Sequence, residues 1–173
     1  MGSSHKKQGK IAENNAKKAK VFSKLVRLIQ VEAKKANGDT SAAGLASAIK
    51  KAYKENMPKE NVERAIKKAS EAGDSIELLY EAYGPGGVGI IITALTDNSN
   101  RTNQEVKSIL TKNKGSLGTS GSVSWNFSQN EDRDWVSNTP LSVEGETKEE
   151  LEQLLELLAD HDDVQDVYHS AVL

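Results

Sequence analysis

The spacing of the apolar residues changes at Gly73, and that change constrains the fold more than any single motif. Before it, Phe22, Leu25, Val26, Ile29 and Ala33 recur at i, i+3, i+4, i+7 and i+11, the stripe of a long helix over residues 10–36. Leu45, Ile49 and Ala52 mark a second helix ending near Glu55, and Val62, Ile66 and Ala69 a third beyond Met57-Pro58. Asn37-Gly38 suits a left-handed helix stop, Asp39, Thr40 and Ser41 offer an N-cap, and Pro58 fits a first helical position. After Gly73 the period becomes 2, with Ile76, Leu78, Tyr80 and Ala82 alternating as a strand. Gly84-Pro85-Gly86-Gly87 is a tight loop, and residues 88–95 form a β-branched run fit for a central strand.

A helix over residues 100–114 follows, with Val106, Ile109 and Leu110 inward. Val123, Trp125 and Phe127 alternate as a strand, residues 129–139 read as a polar loop, and residues 141–143 as a short strand. Leu151, Leu154, Leu155 and Leu158 line one face of a helix over residues 147–160, for which Thr147 and Glu150 make a capping box. Val164, Val167 and Tyr168 close with a strand. The expected fold class is α+β: an N-terminal three-helix domain, residues 1–73, then a ferredoxin-like βαββαβ domain with an added hairpin strand, residues 74–173.

The charge breaks at the same place. Residues 1–70 hold 17 Lys and Arg against 6 Asp and Glu, a balance of +11, and residues 71–173 hold 6 against 19, a balance of −13. The first part is drawn to phosphate backbones and the second is repelled by them. Candidate nucleic-acid contacts are Lys6 and Lys7 ahead of the first helix, Lys10, Lys17, Lys18, Lys20, Lys24 and Arg27 on it, and Lys50 and Lys51 on the second. Composition alone does not choose RNA over DNA.

Other function classes find little support. There is no cysteine, hence no disulfide, thiolate nucleophile or cysteine metal site. Aromatics at 5% argue against an extended stacking platform. No run approaches the ~20 apolar residues that span a bilayer, and the first residues lack a secretory apolar region, so a cytoplasmic protein is expected. Gly84, Gly86 and Gly89 spell G-x-G-x-x-G, but the pattern leads into a strand, not a helix, so it reads as a turn. His161 sits among Asp160, Asp162 and Asp163 in what reads as a solvated loop. No nucleophile or acid–base constellation stands out. The expectation is a binding protein and not an enzyme, with no metal, cofactor, membrane or small-molecule substrate.

Several stretches together resemble the YebC/PmpR family, which includes the mitochondrial translational activator of cytochrome c oxidase. Tyr80-Glu81-Ala82-Tyr83-Gly84-Pro85-Gly86-Gly87 is similar to its Y-E-G-Y-G-P-G-G signature. Asn56-Met57-Pro58, Arg64-Ala65-Ile66-Lys67, Thr96-Asp97-Asn98-Ser99-Asn100-Arg101-Thr102 and residues 115–123 match in order, as do residues 162–169. Two departures stand out: the family's G-H-S-K-W opening is absent, and only residues 128–139 stand where the family carries an inserted third domain. The resemblance implies a nucleic-acid-binding regulator, a ribosome-associated translation factor working on RNA or, alternatively, a DNA-binding transcriptional regulator; a monomer is expected. It implies that Tyr83, Gly84, Pro85, Gly86 and Gly87 form a partner-binding loop presenting backbone N–H groups. Arg101 then contacts phosphate or locks the neighbouring loop.

Overall fold

The computed structural model describes the backbone of residues 2–173 and the side chains from Glu13 onward, so the side chains of Lys6, Lys7 and Lys10 lie outside the described residues. The chain divides into two compact units, Met1–Gly73 and Asp74–Leu173.

The first unit is built from α1 (Gly2–Lys35), α2 (Ala43–Lys54) and α3 (Lys59–Lys67). Leu25, Ile29 and Ala33 of α1 pack against Leu45, Ala48 and Ala52 of α2 and Val62 and Ala65 of α3, with Met57 filling the connection. The many alanines let the helices approach closely around few large side chains. Asn37 and Gly38 both take positive φ at the end of α1, and the Gly38 N–H donates to the Ala33 carbonyl at 2.9 Å. The expected cap of α2 is replaced: Ala42 holds the N-cap position without a side-chain bond, while the Asp39 carboxylate accepts from Ser41 N–H and Oγ in a local turn. Pro58 stands at the N-cap of α3, just before the helix.

The second unit centres on a sheet of β1 (Ile76–Tyr83), β2 (Gly89–Thr96), β3 (Ser116–Leu117) and β7 (Val164–His169), ordered β3-β1-β2-β7 with every pairing antiparallel. The helix α4 (Ser99–Lys112) joins β2 to β3, which lie parallel with β1 between them, a split βαβ. A second passage runs from β6 (Leu141–Ser142) through α5 (Gly145–Asp160) to β7. β6 stands outside the main sheet, pairing in parallel with β8 (Ala171–Val172). The α+β class with an added hairpin strand is as expected.

Alternation along β2 explains its continuous apolar run. Ile90 and Ile92 meet Val106 and Leu110 of α4 and Leu151, Leu154 and Leu158 of α5. Ile91 points the other way, into a cluster with Val123, Phe127, Trp135 and Tyr168. A strand covered on both faces has no polar side to show.

Three local expectations are corrected. Residues 123–127 do not form one strand: Ser124–Asn126 is a 3₁₀ turn, and only Phe127–Gln129 is extended, as β4. The amides of Val123 and Ser124, with that of Gly121, are taken by the Glu81 carboxylate, and Asn126 N–H donates back to the Val123 carbonyl, so the start of the stretch turns instead of extending. The polar loop at residues 129–139 contains β5 (Trp135–Ser137), paired with β4 around a turn in which Asn130 Oδ1 accepts from Asp132 and Asp134 N–H. Trp135 draws that strand onto Ile91. The helix α5 starts at Gly145, so Thr147 is in its first turn and Glu150 pairs with Lys114 instead of closing a capping box.

Leu154 is fully buried between α5 and the sheet. Leu154→Ala is expected to cost ~2–5 kcal/mol, read as a fall in the denaturant midpoint of the full chain.

Candidate nucleic-acid interface

Helical spacing sorts the cations of α1 by face. Lys17, Lys20, Lys24 and Arg27 fall at i, i+3, i+7 and i+10, one stripe on the side opposite Leu25, Ile29 and Ala33. Lys17 and Lys18 are exposed, and Lys20, Lys24 and Arg27 are half-buried. Lys18 leaves the stripe and sets its ammonium 5.6 Å from the Phe22 ring centre. On α2, Lys50 is exposed and Lys51 half-buried. The C-terminal end of α1 is tied down by Lys34, whose Nζ donates to the Ala72 carbonyl at 3.0 Å. Helical geometry thus gathers cations that are spread along the sequence, and phosphate binding asks for such a row.

Arg101 lies in the other unit, at the start of α4. Its Nη2 donates to Asp163 Oδ2 at 2.9 Å and to Asp97 Oδ1 at 3.2 Å. Thr102 Oγ1 donates to the same Asp163 oxygen at 3.0 Å, and Asn98 Oδ1 caps the helix by accepting from Arg101 N–H at 3.1 Å. These bonds fasten the start of α4 to Asp97 and Asp163, while the Arg101 side chain stays 43% exposed. Burial raises the Asp163 carboxyl, but the hydrogen bonds of Arg101 and Thr102 and the guanidinium charge outweigh it and hold the group below the usual carboxylate range. In the stretch read as a solvated loop, Asp160 and Asp162 are exposed, but Asp163 is 7% exposed.

Glu105, His161 and Asp163 are the one group of metal-ligand type among the described residues, with ligand atoms within 4.8 Å of one another. Their atoms are committed elsewhere. Asp163 N–H donates to His161 Nδ1 at 3.1 Å, so Nε2 carries the proton and meets Glu105 Oε2 at 2.5 Å. The Arg101 guanidinium already supplies the positive charge at Asp163. The arrangement works as an interlock between α4 and the start of β7.

The loop at residues 84–87 is closed by its own amides. Gly84 N–H donates to the Val88 carbonyl at 2.8 Å and Gly87 N–H to the Gly84 carbonyl at 3.1 Å. Pro85 has no N–H, so the loop offers a partner fewer donors than expected. Gly86 and Gly87 take φ of 78° and 77°, which explains both glycines. A Cβ on Gly84 would stand 2.9 Å from Ile90 Cδ1 and 3.0 Å from Leu151 Cδ1, so that glycine is required by packing.

Sequence reasoning missed Glu81. The side chain is 6% exposed and accepts from Gly121 N–H at 2.6 Å, Val123 N–H at 3.1 Å and Ser124 N–H at 2.5 Å. Burial pushes its carboxyl up, and these donors pull it further down, to below the usual range. Tyr83 Oη and Trp125 Nε1 both donate to the Ser122 carbonyl, at 3.0 and 2.8 Å, so one carboxylate and two rings hold the Gly-Ser-rich stretch beside β1. The available signal was a Gly-Ser-rich stretch at residues 118–122 without a strand pattern, beside a strand that carries Glu77 and Glu81 on one face.

The family described as the TACO1/YebC protein N-terminal domain matches residues 3–72. The one described as the TACO1/YebC second and third domain matches residues 75–131 and 129–171. A "Probable transcriptional regulatory protein" of Thermotoga petrophila is 50% identical over 125 residues, covering 70% of this chain and 49% of that protein. One of the same name from Kosmotoga olearia is 42% identical over 164 residues, covering 92% and 62%. The chain thus spans about half the length of the curated relatives it matches. Among solved structures, a conserved hypothetical protein from Aquifex aeolicus superposes with a TM-score of 0.76 at 29% identity, covering 91% of each chain.

Glu81 and Asp163 have folded-state pKa values depressed from 4.5 and 3.8, so their ionised forms add stability above those values and lose it as pH falls through the folded ones. Melting temperature is expected to drop on acidification below about pH 4.5. Glu81→Gln, which sets an amide donor against N–H donors, is expected to cost ~1–3 kcal/mol at neutral pH and to flatten the acid limb of the curve. An unchanged acid limb in that variant refutes the role given to Glu81.

Proposed function

This chain belongs to the TACO1/YebC family, and from that premise we propose that it is a nucleic-acid-binding regulator acting through the cationic face of α1. The observation that carries the reading is the row Lys17, Lys20, Lys24 and Arg27 in a unit whose residues 1–70 carry +11. The finer proposal is a monomeric, cytoplasmic translation factor that meets RNA on the ribosome. A ribosome offers a fixed phosphate surface, so such a factor needs charge geometry and not base readout. No helix among the described residues is long and apolar enough to cross a membrane. The proposed role is binding, not catalysis. In support, the buried polar groups Glu81 and Asp163 hold loops in place.

The name borne by the relatives favours a second reading, a DNA-binding transcriptional regulator. Against it, the row on α1 is three lysines and one arginine, with Asn14 and Gln30 only one turn beyond its ends, a pattern that suits a line of phosphates better than a set of base edges. Residues 71–173 carry −13 and are repelled by phosphate in either reading.

If about five phosphates are neutralised, log K against log salt falls with a slope of roughly −3.5 to −4.5. Charge reversal of Lys17, Lys18 and Lys20 together is expected to abolish RNA binding, measured by fluorescence anisotropy. Salt-sensitive co-sedimentation with ribosomes is expected, with less than about tenfold preference for any DNA sequence, far below the ~10³ of a specific repressor. A footprint on one promoter at physiological salt, without ribosome association in the same lysate, decides for transcription.

A further inference from the structure

The α2 helix carries an exposed aromatic ring that the core does not use. Tyr53 is 45% exposed. It lies one turn from Ile49 and is absent from the cluster that unites α2 with α1 and α3. It borders a shallow, open depression of about 580 Å³ lined by Thr40, Ala46, Ile49, Lys50, Tyr53 and Lys54. None of those six residues is acidic, and the floor of Ala46 and Ile49 is apolar. Lys50 shares a helix face with both Tyr53, at i+3, and Lys54, at i+4, and all three border the depression. A flat apolar surface, a ring at its edge and two ammonium groups on its rim match the two halves of a nucleotide. The base presents a π-face and the phosphate a charge.

We propose that Tyr53, Lys50 and Lys54 form a subsite for one unstacked base of single-stranded RNA, the ring stacking on the base and the lysines holding the flanking phosphates. The inference rests on the RNA-binding reading above and narrows it. A duplex keeps its bases stacked inside, so the subsite distinguishes a looped or single-stranded segment from a helix. Stacking accepts any base, because every base has a π-face, which agrees with a factor that reads no sequence. The excess positive charge of this unit favours the polyanion over an apolar peptide as the occupant. Lone stacking subsites also suit a chain in which only 5% of residues are aromatic.

The test is anisotropy of a labelled single-stranded RNA of roughly 12 nucleotides and of the same sequence as a duplex, over a salt series, with the full chain. Tyr53→Ala is expected to weaken single-strand binding roughly five- to a hundredfold while leaving the salt slope and duplex binding unchanged. Tyr53→Phe is expected to stay within about twofold of the parent. Lys50→Gln with Lys54→Gln is expected to flatten the slope by about 1.4, two single-strand phosphate contacts. Circular dichroism melts confirm that each variant is folded. If Tyr53→Ala binds the single strand as the parent does, while the lysine pair still sets the slope, the subsite is overturned and the phosphate reading stands. If the parent protein binds neither RNA, even at low salt, the broader reading fails, and the subsite with it.

Discussion

Burial of β2 on both faces organises the second unit. A strand with Ile90 and Ile92 on one side and Ile91 on the other exposes apolar surface whichever way it turns. Two layers must therefore cover it, and the chain supplies them from different places. α4 and α5 pack their Val106, Leu110, Leu151, Leu154 and Leu158 on one face. The β4–β5 hairpin, with Val123 and Tyr168, closes the other. Each fully buried Leu or Ile contributes ~1.5–3 kcal/mol by transfer from water, so the strand and its covers stand or fall together.

Two buried carboxylates make that packing specific. Glu81 leaves β1 on the hairpin side and gathers three amides of residues 121–124. Asp163 precedes β7 and gathers Arg101 and Thr102 at the start of α4. A buried carboxylate without donors is costly, and one with two or three is held ionised. Each therefore ties a connection that hydrophobic burial alone would leave loose. The tight loop at residues 84–87 depends on the same packing, since Gly84 sits against Ile90 and Leu151.

The helical unit follows a different economy. Its core is small, drawn largely from alanine with Leu25, Ile29, Leu45 and Val62, and this leaves the opposite side of α1 to lysine and arginine. What this unit presents at its surface is a row of cations on α1 and an exposed ring on α2. In the other unit Glu81 and Asp163 are buried among donors, and Arg101, expected among the nucleic-acid contacts, binds the carboxylates of Asp163 and Asp97.

Periodicity alone determined the three helices, the hairpin of β1 and β2, the helices α4 and α5 and the α+β class, because burial of a single face imposes a period of 3.6 or 2 on any sequence. The row of cations on α1 and the glycine turn were legible for the same local reason. Tertiary structure alone decided which amides went where. Residues 123–127 alternate like a strand, yet Glu81, about forty positions earlier, takes the N–H groups of Val123 and Ser124, and Ser124–Asn126 forms a 3₁₀ turn. Residues 129–139 look like loop until Trp135 finds Ile91. Asp163 looks solvated until Arg101, 62 positions away, is folded onto it. A hydrogen bond between distant residues leaves no periodic trace in a chain, whereas the face a helix or strand buries does.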